Sequence, residues 1–94
     1  MMTVRTIIIK LYAPWVHSLK EKRGIVKSIC SKVNNKFNVS IAEVDEQNTH
    51  QTIILGLAYV SINAVQADRT FEHVINFIED NTDAEIVDVI HEIV

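Results

Sequence analysis

The chain has little of what interrupts or staples a fold. Of its 94 residues only two are glycine and one is proline, too few for disordered or low-complexity linkers. Its single cysteine, Cys30, forbids an internal disulfide and fits a reducing compartment. The opening MMTVRTIIIKLY falls well short of the about 20 apolar residues of a membrane span, and no small-residue cleavage site follows it. A soluble cytoplasmic protein with no membrane contact is therefore the expectation. Charge is also missing by region. Residues 1–36 hold one acid, Glu21, against eight Lys/Arg, whereas residues 37–94 hold one base, Arg69, against eleven acids. The net charge of −3 thus divides into +7 and −10. Such a split predicts a basic contact surface, or two halves that attract each other in the fold.

What the chain does have is hydrophobic pattern. Apolar residues make up 48% of it, and the length suits one domain, residues 1–94. A chain of this size buries roughly 60–68% of its unfolded surface, enough to fold without metal or disulfide. Thr3 to Tyr12 reads as a strand, with Ile7, Ile9 and Leu11 alternating against Thr6, Ile8 and Lys10. Pro14 breaks it. From Ser18 to about Lys36, Leu19, Ile25, Val26, Ile29, Cys30 and Val33 recur at helical spacing. Phe37 to Asp45 alternates as a second strand, and Glu46 to Gln51 reads as a hairpin loop. Thr52 to Ser61, TIILGLAYVS, is apolar on both faces and should be a central strand. Asn63 caps a second helix with Ala64, Ala67, Phe71, Val74, Ile75 and Ile78 on its inner face. A turn at Asn81–Asp83 leads to a last strand, Ala84 to Val94. The order is that of an α+β, ferredoxin-like βαββαβ sandwich: an antiparallel four-stranded sheet, order 4-1-3-2, with two helices on one face.

Within that frame the segment HSLKEKRGIVKS is unusual. Ser18 and Glu21 have capping-box spacing, yet Lys20, Lys22 and Arg23 crowd the helix start, where the dipole disfavours cations by about 0.3–1 kcal/mol each. Right-handed crossovers place this helix start, the second helix's end and the hairpin loop at one edge of the sheet. The anions that tolerate the cluster are then either internal (Asp45, Glu46, Glu79, Asp80 and Asp83) or an external phosphate bound by Lys20, Lys22, Arg23 and Lys27. Trp15 and His17 would flank such a phosphate site.

Other chemistry finds less support. The four histidines show no metal-ligand spacing and one cysteine cannot anchor zinc, so no metal or cofactor is expected. Cys30, mid-helix beside Ile29 and Val33, reads as packing. Glu43 and Asp45, two apart on one strand, read as partners for nearby cations. LGLAYVS shares small residues with the third strand of RNA recognition motifs but has Leu57 where a stacking aromatic is needed. Residues 13–17 lack the phosphate-binding arginine that acylphosphatases carry in their first loop. No enzymatic activity is expected. If Ile54, Gly56, Ala58 and Val60 face the helices, then Ile53, Leu55, Leu57 and Tyr59 face outward, joined by Ile8, Tyr12, Val44, Ile86 and Ile90. A patch of that size predicts a covering partner, a homodimer first.

Three blocks, HSLKEKRGIVKSI, KFNVSIAEVDEQ and LGLAYVS, together resemble the YlxP-like proteins, small bacterial proteins of undefined biochemical function. The resemblance spans essentially the whole chain. Lys20 to Arg23 and Glu43 to Asp45 match the family's pattern, whereas INAVQADRTFEHV is an ordinary helix with little basic charge. The resemblance implies a ferredoxin-like fold, a bacterial cytoplasmic setting and a gene neighbourhood of transcription–translation factors, ribosome-binding factor A among them. No established catalytic residues carry over. The expectation is a non-enzymatic, homodimeric binding module touching RNA or a ribosomal subunit, with no DNA contact. The alternatives are a protein-interaction module or a small-molecule-binding regulatory domain using the apolar sheet face.

Overall fold

The computed structural model describes residues 2–93, with side chains to residue 92. It contains β1 (Thr3–Tyr12), α1 (Leu19–Lys36), β2 (Ser40–Asp45), β3 (Thr52–Ser61), α2 (Ala64–Asp80) and β4 (Glu85–Ile93). The sheet order is β2-β3-β1-β4, every neighbouring pair is antiparallel, and the fold is ferredoxin-like α+β, as the element order implies. The expected last residue of β4, Val94, lies outside the described residues. β2 starts at Ser40 rather than Phe37. Phe37 caps α1 in extended conformation, and it and Val39 lean on the core without joining the ladder.

Both helices start on side-chain caps. Ser18 Oγ accepts from the Glu21 amide at 3.1 Å, and Asn63 Oδ1 accepts from the Gln66 amide at 2.7 Å. Each satisfies an amide that the first turn leaves without a partner. The core fills the layer between helices and sheet: Ile7, Ile9 and Leu11 from β1, Ile53, Leu55 and Leu57 from β3, Phe71, Val74 and Ile78 from α2, Ile29 and Val33 from α1. Phe37 meets Phe77 edge to face, centroids 5.5 Å apart, closing the helix pair where α1 ends.

The facing of β3 is the reverse of that expected. Ile53, Leu55 and Leu57 point at the helices and are buried, and Tyr59 lies on the same side, edge-on to Phe71 at 6.2 Å. Ile54, Gly56, Ala58 and Val60 line the open face instead. The cause is register: Ile7, Ile9 and Leu11 stand opposite Leu57, Leu55 and Ile53, and directly opposed residues share a face. The core takes the alternation carrying three large aliphatics and leaves outside the one carrying Gly56 and Ala58. Ile8 and Tyr12 do lie on the open face, with Val44 and Ile90, but Ile86 stands opposite Leu11 and packs on the core.

Two bulges shape the sheet edges. β2 slips between Glu43 and Asp45, so Glu43 opposes Leu55 on the helix side while Asp45 opposes Ile54 on the open side. The expected same-face pair of carboxylates is therefore split. β4 slips beside Lys10 and Leu11, which leaves Val87 outside the regular alternation.

Candidate functional site

At one end of the sheet the β1–α1 loop, the β2–β3 loop and the end of α2 meet, as the topology requires. Backbone and side chain fix this corner: the Ala13 amide donates to the Gln51 carbonyl at 2.8 Å, and Gln51 Nε2 reaches the Pro14 and Val16 carbonyls at 2.9 and 3.3 Å. The start of α1 is therefore held rigidly against the loop after β2.

The cations of α1 separate by their position around the helix. Lys22 lies on the inward stripe with Ile29 and Val33, seven and eleven residues on, and its side chain is 0% exposed. Its Nζ sits 2.8 Å from Glu43 Oε2 and donates to the Glu46 carbonyl. The contact with Glu43 misses hydrogen-bond angles, so this partner acts chiefly through charge. Glu46 has φ 57, a left-handed turn in which the Asp45 carboxylate accepts the Glu46 amide at 2.8 Å. Lys22 thus clamps α1 to β2 and its loop. A side chain that is fully buried and twice engaged does not reach an external phosphate, so Lys22 leaves the expected binding set.

Lys20, Arg23 and Lys27 are all exposed. At 100° per residue they fall within about 60° of one another, on a ridge about 10 Å long facing away from the sheet. Ser31 and Asn34 continue that ridge without an acid. Among the described residues no ion pair joins these three cations to any carboxylate; the pairs present are Lys22–Glu43 and Arg5–Asp68. Asp80 and Asp83, expected beside the cluster, instead face Glu21, Lys32 and Trp15 across a groove of about 630 Å³ between the helices. Trp15 is 42% exposed on that groove, on the other flank of α1 from Arg23. His17 is exposed in the loop before Ser18.

Glu43 also reaches the only thiol. Burial, and then the Glu43 charge, push the Cys30 pKa above its ordinary value, which keeps the thiol protonated and poorly nucleophilic. The carboxylate that could have served as a base is held by Lys22.

The open side of the sheet carries the other notable surface. Ala42, Gly56 and Ala58 form the floor of a hollow of about 440 Å³, with Val44 on one side and Ile8 on the other. Gly56 spares Val44 a displacement there: a Cβ would come 2.7 Å from Val44 Cγ1. This hollow was not anticipated, because it follows from the facing of β3; its signal was the pairing of the smallest residues of TIILGLAYVS on one alternation.

Residues 4–90 match the family model described as "Protein of unknown function (DUF503)". "Uncharacterized protein YlxP" of Bacillus subtilis (strain 168) is 47% identical over 62 residues, covering 66% of this chain and 67% of the relative. A solved structure, "De novo designed protein Foldit4", aligns with a TM-score of 0.54 over 98% of this chain and 97% of its own, at 14% identity, a likeness of fold alone.

Proposed function

We propose, from the premise that this chain belongs to the DUF503 family of proteins of unknown function, that it is a non-enzymatic module gripping RNA through Lys20, Arg23 and Lys27. One observation carries the reading: three cations share an exposed, acid-free ridge at the end of α1 where the helix dipole also favours an anion. Lys20 in the first turn and Arg23 just beyond it sit against the dipole with no ion-pair partner among the described residues, an arrangement that an external phosphate would relieve. The opposite charge of the remaining chain supports an orienting role, since an acidic body turns the basic ridge toward a polyanion. The protonated Cys30 thiol and the engaged Glu43 speak for binding rather than catalysis.

The test is binding of the full chain to structured RNA and to purified bacterial ribosomal subunits at several salt concentrations. Three phosphates neutralised give a log–log salt slope of about −2 for single strands and nearer −3 for duplex. Lys20→Glu, Arg23→Glu and Lys27→Glu together should abolish that binding without lowering the melting temperature, because all three side chains are solvated and an acid at Lys20 suits the helix dipole. No binding by the native chain at low salt, or equal binding by the triple variant, refutes the proposal.

A further inference from the structure

The open face of the sheet presents an apolar centre with a distinct relief. Reading across β2, β3, β1 and β4, the central row is Ala42, Gly56, Ile8 and Ile90. Two positions carry little or no side chain and two carry isoleucine. The row on one side is Ser40, Ala58, Thr6 and Glu92, and on the other Asp45, Ile54, Lys10 and Asp88. The face is thus low over β2 and β3, where the hollow lies, and high over β1 and β4. Ile90 is 48% exposed, Val44 49% and Val60 60%, all on a surface that water covers at a cost.

We propose that the occupant of this face is a second copy of the chain, packed sheet to sheet about a two-fold axis parallel to the strands. That operation lays β1 over β3 and β4 over β2 of the other copy while keeping each row in place. Ile8 then stands over the partner's Gly56, packing against the Val44 methyls that lean over it, and Ile90 stands over the partner's Ala42, so each ridge meets the low side of the other copy. The alternative axis, across the strands, stacks Ile8 on Ile8 and Ile90 on Ile90, and leaves both hollows empty. Charge does not separate the two axes: the first sets Asp88 over the partner's Asp45 with Lys10 beside both, and the alternative sets Asp88 against the partner's Glu92.

The area reaches only the lower limit of a standard interface. Four strands about 4.8 Å apart and roughly 9 residues long at about 3.3 Å each give a footprint on the order of 600 Å² per copy. That lies somewhat below the about 800 Å² per partner of a standard stable interface. A dimer that forms at micromolar concentration rather than nanomolar is the consequence. The result is a four-layer sandwich with helices outside, both α1 starts at the same end.

Sedimentation and light scattering of the full chain from 1 to 200 µM test the proposal. The mass should rise to that of a dimer within this range. Ala58→Arg, which fills the hollow with charge, and Ile90→Lys, at an exposed edge, should each weaken association at least tenfold; Lys27→Glu, on the far side, should not change it. A second measurement tests the axis in a Cys30→Ser background. Ala42→Cys mixed with Ile90→Cys should be joined by a short bismaleimide, while Ile90→Cys alone, whose copies lie about 15 Å apart sideways on strand spacings, should not. If either Ala58→Arg or Ile90→Lys fails to fold, amide shifts of the native chain on dilution decide, and they should concentrate at Ile8, Gly56, Ala58 and Ile90. A monomer at 200 µM, dilution shifts on the helices instead, or efficient self-linking of Ile90→Cys overturns the inference.

Discussion

Replacing Lys22 by methionine separates a structural lysine from a binding one. Methionine's unbranched thioether fills much of the space of the lysine stem, but Glu43, with 15% of its side chain exposed, loses its cation, and the Glu46 carbonyl loses a donor. Removing one partner of a buried ion pair costs about 3–5 kcal/mol, because the other charge stays behind in poor solvent. The residual exposure of Glu43 places the cost at the lower end, about 3 kcal/mol. A domain of this size has roughly 5–14 kcal/mol in hand, so Lys22→Met should remain folded. Its melting temperature should fall by roughly 12–24 °C, at about 4–8 °C per kcal/mol. Lys22→Met with Glu43→Leu should recover most of that loss, because an apolar pair of similar volume avoids desolvating either charge. Thermal melts by circular dichroism of native, single and double variants supply the cycle. A single variant melting within a few degrees of the native chain refutes the reasoning, since Glu43 would then be served by water. A double variant no better than the single refutes it as well.

Further outcomes follow from single contacts. Gly56→Ala should destabilise by about 1 kcal/mol through its contact with Val44, within the range for overpacking, and become neutral or stabilising in a Val44→Ala background where strand propensity alone acts; urea melts of the four proteins check both signs. Asn63→Ala should cost about 1 kcal/mol by removing the cap on the Gln66 amide, with calorimetry as the readout. Cys30 should react with iodoacetamide more slowly than a model thiol near neutral pH, and the rate should climb only at pH values above the ordinary thiol pKa. Glu43→Gln should shift that profile to lower pH, since the carboxylate charge is the second cause of the raised pKa; a profile matching free cysteine contradicts the burial described.

The order of elements was legible because each boundary carries its own signal: Pro14 after β1, Ser18 and Asn63 as caps, and alternation in β1 clear enough to place Ile7, Ile9 and Leu11 inward. β3 defeated the same reasoning. Its two alternations are both apolar, so hydrophobicity could not choose between them; side-chain volume could, and so could the antiparallel register to β1. Lys22 was misplaced for a different reason. Charge argued for solvent, whereas its spacing from Ile29 and Val33 put it on the buried stripe, and the inward alternation of Phe37, Val39, Ile41 and Glu43 offered the counter-charge. The bulge at Val44 left no mark in composition, so the splitting of Glu43 from Asp45 was beyond pattern alone.

The inward turn of Glu43 has a consequence for how the protein behaves in a crowd. β2 is an edge strand, and an edge of alternating apolar residues is a template for adding strands from other molecules without limit. A carboxylate buried beside its lysine, followed at once by a kink, spoils that template: an incoming strand would have to match a broken ladder and sit over a charge. The Lys22→Met, Glu43→Leu chain, close to the native one in stability, should therefore clump faster on heating, because its edge has lost the charge that spoils the template.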